Sequence, residues 1–217
     1  MTPNKIQPPS GKLGVLIPGL SGAVATTFVA GSLSVRQKLA QPIGSLTQMA
    51  TIRLGQRREN RFPLIKDFVP LAELDDLVFG GWDIRDEDCY QAARVAKVLD
   101  ERDLAPVRDE LQQIRPMKAV FEQRYVTRLN GTWVKQGTSK YDLAMQLRED
   151  IVSFKKRQEL SRLVVLWCGS TEIYIPVSDV HRDIIDHYRK MAEQLPLFLR
   201  GDLCSRQDLD LQDRDRL

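Results

Sequence analysis

The chain has 217 residues, 42% hydrophobic and 28% charged, an ordinary composition for a globular protein with room for a sizeable core. Its net charge of +3 is scattered: basic and acidic residues mix in segments such as RRENR and FKKRQE, which argues against a nucleic-acid surface and leaves steering of a small anionic substrate open. Cys89, Cys168 and Cys204 are far apart and odd in number, so neither a disulfide framework nor a CxxC metal site follows, and a reduced, cytoplasmic setting is expected.

Residues 1–11 are polar and proline-rich and predict a flexible arm. From Leu13 to Val35 no side chain is charged, a run long enough to raise the question of a membrane span. Pro18, Gly14, Gly19, Gly22 and Gly31 interrupt it, and the hydroxyls of Ser21, Thr26, Thr27, Ser32 and Ser34 dilute it. VLIPGL is too short and broken for the core of a signal peptide. A third reading accounts for more residues. LGVLI is a strand buried on both faces, PGLSGA a turn, and AVATTFVAGSLSVRQKL a helix with small residues at its start. A glycine turn between strand and helix suits pyrophosphate, because the backbone can approach closely and the helix N-terminus offers free N–H groups. The pattern Gly19-x-x-Gly22-x-x-Ala25 is not a clean GxGxxG, and a plain strand–helix turn accounts for it nearly as well.

Residues 41–70 carry three prolines and no sustained period, and predict an irregular excursion with short strands. LDDLVFGGWDI then reads as a second strand ending in Asp83. A helix follows over YQAARVAKVL, with Asp86 as its expected N-cap. LAPVRDELQQI is another helix, stopped before Pro116. The stretch from Val120 to Lys140 is mixed, with a turn at Asn130-Gly131. DLAMQLREDIVSFKKRQEL is a long amphipathic helix and RLVVLWCGST a third strand with a small polar loop. Strands alternating with helices predict an α/β fold with a parallel sheet.

Ligands of such sheets collect at the carboxyl ends of the strands. Those ends carry GLSGA, then Asp83, then Cys168, Gly169, Ser170 and Thr171. Asp83 has the type and position to accept hydrogen bonds from an adenosine ribose, although it lies 83 − 22 = 61 residues beyond Gly22. A capping or turn carboxylate is the alternative for it, and a surface turn is the alternative for CGST. Cys168 reads as a small thiol at the edge of the core. No Tyr-x-x-x-Lys and no GK[ST] occurs, which excludes a short-chain dehydrogenase and a P-loop. His181 and His187, six apart, fall on different helix faces and read as exposed polar residues, with no metal site expected.

IPGLSGAVATTFVAG, GSLTQMATIRLG, PLIKDFVPLAELDDLVFGGWDI and LVVLWCGSTEIY occur in that order. Together they resemble the amino-terminal, NAD-binding part of the myo-inositol-1-phosphate synthase (inositol-3-phosphate synthase) family, of bacterial type, from about Lys12 to Tyr188. The resemblance implies a Rossmann-like parallel sheet over 12–191, with an insertion after the first βα unit that accounts for the long spacing to Asp83. It also implies conversion of D-glucose 6-phosphate to 1D-myo-inositol 3-phosphate, NAD being reduced and reoxidised within one cycle. The positions matching the family's NAD contacts are Gly22, Ala23, Val24, Asp83, Ile84, Cys168, Gly169, Ser170 and Thr171. Ser45, Thr47 and Gln48 match its GSxTQ stretch. Full-length relatives are expected to be homo-oligomers. Residues 192–217 match nothing in the family and are expected to be an atypical tail, with the family's second, catalytic domain expected to be missing. The chain is therefore expected to supply the NAD-binding half and to be inactive alone, or to act as a non-catalytic dinucleotide- or partner-binding module. The catalytic residues are not assigned.

Overall fold

The computed structural model describes residues 10–169 together with Arg182 and Asp183. The expected arm up to residue 9, Ser170, Thr171, His181, His187, Cys204 and the tail 192–217 lie outside the described residues. The chain divides into two compact units, Met1–Glu172 and Ile173–Leu217, and the description below concerns the first.

Four parallel strands form its sheet in the order β3-β2-β1-β4. They are β1 (Leu13–Pro18), β2 (Leu77–Asp83), β3 (Met117–Lys118) and β4 (Arg162–Val165). β1 lies in the middle, with Leu13 opposite both Leu77 and Arg162. This position explains its composition. A strand with helices on both faces must be apolar throughout, and LGVLI is buried from Gly14 to Ile17.

The alternation of β1 distributes its side chains between two cores. Val15 and Ile17 face a cluster with Leu20, Val29 and Leu33 of the segment running into α1 (Ala23–Arg36). The same cluster takes Cys89, Tyr90 and Ala93 from α4 (Cys89–Ala96), and Leu104, Val107 and Leu111 from the helical turns after it. Those turns are α5 (Glu101–Leu104), a 3-10 turn at Ala105–Val107 and α6 (Arg108–Gln113). Leu16 points the other way, against Trp82, Leu160 and Phe154 of α7 (Lys140–Arg157). Burial of each such large side chain contributes about 1.5–3 kcal/mol.

Gly80 and Gly81 let these layers close. A Cβ on Gly81 would lie 2.0 Å from the Ile17 carbonyl oxygen of the neighbouring strand. On Gly80 it would meet the Phe154 ring at 2.7 Å.

Between α1 and β2 the chain makes the expected excursion. Two short helices, α2 (Leu46–Met49) and α3 (Ile65–Phe68), flank isolated antiparallel bridges Thr51–Leu64 and Leu54–Arg61. No residue from Arg36 to Val78 is fully buried. The excursion is thus an addition to the sheet's connection and not part of its core. Arg36 pins its far end: Nη2 donates to the Leu74 and Leu77 carbonyls, 2.8 Å each, and the guanidinium lies over Phe79.

Two expectations are corrected. The N-cap of α4 is Asp88, not Asp86, and its carboxylate accepts from Gln91 N at 2.9 Å. Cys89 N bonds the Ile114 carbonyl, which fixes the helix start after Asp88. The sheet also contains a strand that composition hid. Met117–Lys118 pairs with Trp82 and Asp83 over only two residues, too short for any periodicity.

Candidate dinucleotide site

β1 is the point where strand order reverses, with β2 on one side and β4 on the other. The crevice beyond the carboxyl ends at such a reversal is where open α/β sheets bind ligands. Three chain segments converge there. Gly19 and Leu20 donate their N–H groups to the Trp82 carbonyl, which joins the glycine turn to the end of β2. Cys168 N donates to the Pro18 carbonyl at 3.0 Å, which joins the loop after β4 to the same turn. Gly19 has φ +86°, and a Cβ there would come within 2.6 Å of the Cys168 carbonyl oxygen. Only glycine allows both that backbone conformation and that approach.

Asp83 fastens the turn. It is 8% exposed, and its Oδ2 accepts from Ser21 N at 2.9 Å. Its Oδ1 accepts from Ile84 N at 2.8 Å and from Arg85 N at 3.3 Å. Of the roughly four acceptor positions of a carboxylate, three are therefore occupied by backbone.

Gly22, extended at φ −75° and ψ 159°, is the N-cap of α1 and has no side chain to cap it. The N–H groups of Ala23, Val24 and Ala25 find no acceptor among the described residues. A Cβ on Gly22 would lie 3.1 Å from Gly19 O, narrowing the approach to them. Ala23 and Val24 are exposed, so this first turn opens outward. Cys168 is half-buried and packs on the first core cluster, as a core-edge thiol does.

Gly22, Ala23, Val24, Asp83, Ile84, Cys168 and Gly169 thus lie on segments that meet at one end of the sheet. Ser170 and Thr171 lie outside the described residues. Ser45, Thr47 and Gln48 belong to the excursion; Ser45 Oγ and Thr47 Oγ1 hydrogen-bond each other at 3.1 Å, and among the described residues no hydrogen bond links the three to the glycine turn.

Two features were not singled out from sequence. The segment 130–133 straps the end of β2, with Thr132 N and Trp133 N donating to the Ile84 carbonyl. Arg85 Nη2 donates to the Ser21 carbonyl at 3.4 Å, a contact its place directly after Asp83-Ile84 would have suggested.

A parallel sheet ordered 3-2-1-4, with a glycine turn opening a helix at the reversal point and a β2-terminal carboxylate holding that turn, defines a Rossmann-like dinucleotide-binding protein. The chain belongs to the myo-inositol-1-phosphate synthase family, an NAD-binding family of enzymes whose model matches residues 13–195. It is 46% identical over 200 residues to inositol-3-phosphate synthase 1 of Bacteroides thetaiotaomicron, covering 92% of this chain and 46% of that one. It is 32% identical over 190 residues to inositol-3-phosphate synthase 1 of Oryza sativa subsp. japonica, covering 81% and 37%. The crystal structure of inositol-3-phosphate synthase from Caenorhabditis elegans superposes with a TM-score of 0.74 at 28% identity, over 83% of this chain and 39% of that one. The chain spans less than half the length of these relatives. Among the described residues no helix is long and apolar enough to cross a membrane, and no group of three or more His, Cys, Asp or Glu is placed to hold a metal ion.

Proposed function

We propose that this chain binds NAD in the crevice beside β1, as the NAD-binding part of an inositol-3-phosphate synthase acting on D-glucose 6-phosphate in the cytoplasm. The observation that carries the reading is the Asp83 clasp. It holds the Ser21 amide at 2.9 Å and so fixes the turn with the first N–H groups of α1 turned outward. Those groups and Gly22 suit a pyrophosphate, by partial charge and by closeness of approach. NAD bound there would take a hydride from the sugar and return it within one cycle. Ala23 and Val24 would meet the phosphates, and Asp83 and Ile84 the adenosine ribose. Cys168 and Gly169 would form the opposite wall, and Ser170 and Thr171 are proposed as NAD contacts from the family's motif. The unit 12–191 is proposed as the NAD-binding domain, with 192–217 as a separate tail, and full-length relatives as homo-oligomers.

The chain by itself is proposed to bind NAD without turnover. Isomerising the sugar phosphate needs a phosphate clamp and proton-transfer groups held with the cofactor in one site. Calorimetric titration of the 217-residue protein with NAD tests the binding, and absence of heat with NAD present in excess refutes it. Assay of inositol phosphate from glucose 6-phosphate and NAD tests the second part. Turnover of about 1 s⁻¹ or more refutes it.

A further inference from the structure

The turn that faces the dinucleotide brings no full charge of its own, because no side chain from Leu13 to Val35 is ionised. Backbone N–H groups and a helix terminus supply partial charges only. The nearest acidic group adds to the deficit, since Asp83 sits 2.9 Å from the Ser21 amide. Arg85 is a cation that reaches the turn by a hydrogen bond.

Both of its present side-chain contacts are weak. The bond from Nη2 to the Ser21 carbonyl is 3.4 Å long, at the limit of a hydrogen bond. The pairing of Nε with Glu87 Oε2 is longer still, at 3.7 Å, and that buried oxygen accepts no hydrogen bond. The side chain is 40% exposed. A guanidinium has five donors in a planar fork whose spacing matches two phosphate oxygens. Here most of that fork is unused and lies beside a turn that lacks a cation.

We propose that Arg85 is a phosphate-binding residue of the dinucleotide site, leaving Ser21 and Glu87 to bind a phosphate group of the ligand. The inference rests on the NAD-binding reading above. Phosphate is offered by the pyrophosphate bridge, shared by NAD and NADP, and by the ribose 2′-phosphate, carried by NADP alone.

The experiment uses the full 217-residue chain, titrated calorimetrically with NAD, NADP and adenosine at low and high salt. Arg85→Gln keeps a donor for the Ser21 carbonyl and removes the charge; Arg85→Lys keeps the charge and removes the fork. A lost charge-assisted hydrogen bond corresponds to about a tenfold to hundredfold weakening. Arg85→Gln is expected to lose that much affinity for NAD and NADP, to bind adenosine as the wild type does, and to show a shallower salt dependence. Arg85→Lys is expected to recover part of the loss. Weakening confined to NADP assigns the contact to the 2′-phosphate. Equal weakening of both dinucleotides assigns it to the bridge. The proposal is overturned if Arg85→Gln binds both dinucleotides within about twofold of wild type. It is equally overturned if adenosine binding falls in parallel, since a disturbed turn would do that without any phosphate contact. Failure of the wild type to bind NAD removes the underlying reading, a result distinct from wild-type binding that ignores Arg85.

Discussion

Replacing Asp83 by Asn changes one oxygen to an NH2 group and nothing in shape. In the native protein Oδ2 accepts from Ser21 N, while Oδ1 accepts from Ile84 N and Arg85 N. An amide has one acceptor oxygen. If it serves Ile84 and Arg85, its NH2 faces the Ser21 N–H; if it flips to Ser21, it faces the other two. Either orientation leaves a backbone donor unsatisfied in a site where the side chain is 8% exposed. Loss of a charge-assisted bond costs about 1.5–3 kcal/mol, and a stranded buried N–H about 1–3 kcal/mol. Some relaxation of the turn is available, so about 2–4 kcal/mol in total is expected. For a chain of this size that lowers the melting temperature by roughly 5–15 °C. The assay is thermal unfolding followed by circular dichroism, with NAD affinity measured alongside. The turn should loosen, and binding should weaken about tenfold or more. A melting temperature within about 2 °C of wild type would refute the clasp, because no orientation of the Asn side chain satisfies all three amides.

Further outcomes are expected at four other residues. Gly81→Ala should destabilise by about 4 kcal/mol or more, read by urea unfolding, because its Cβ would lie 2.0 Å from the Ile17 carbonyl oxygen and two paired strands cannot separate to admit it. Lys135→Met should destabilise by about 2 kcal/mol, since Asp150 pairs with Lys135 Nζ at 2.9 Å and would keep only the Trp82 Nε1 bond at 2.7 Å; a double-mutant cycle with Asp150→Asn isolates the pair. Burial, aided by the Asp88 and Asp83 carboxylates, pushes the Cys89 thiol up to about 12, so Cys89 should resist alkylation in the folded protein. The unfolded chain releases that proton near 9.0 and the folded chain keeps it, so Cys89 should cost stability as pH rises from 9.0 toward 12; urea melts of wild type against Cys89→Ala across that window test the sign. Asp88→Ala should cost about 1–2 kcal/mol, because the cap of α4 at Gln91 N is lost along with the 3.6 Å contact to Arg115.

Length and pattern alone determined most of the architecture. LGVLI and LVFGGWD read as strands because a sheet covered on both faces demands uninterrupted apolar runs; RLVV, though apolar after its arginine, is an edge strand of the described sheet with three of its four residues exposed. Gly19 and Gly22 marked the turn, and at Gly19, with φ +86° and the Cys168 carbonyl oxygen 2.6 Å from where a Cβ would stand, no other residue fits. The family motifs tied that turn to Asp83 across 61 residues, a separation that local patterning could not bridge. The tertiary structure decided what periodicity cannot carry. Met117–Lys118 is a strand only because Trp82 and Asp83 offer it an edge. Asp88 rather than Asp86 caps α4 because Ile114, a distant residue, accepts the Cys89 N–H and sets where the helix begins. Asp83 and Arg85 look alike as charged residues after a strand. Their roles separate only when folding sets the Ser21 amide against one and the Ser21 carbonyl against the other. A sequence records which groups are present. Which donor meets which acceptor across 62 and 64 positions is fixed by the strand register, and that register exists only in the folded sheet.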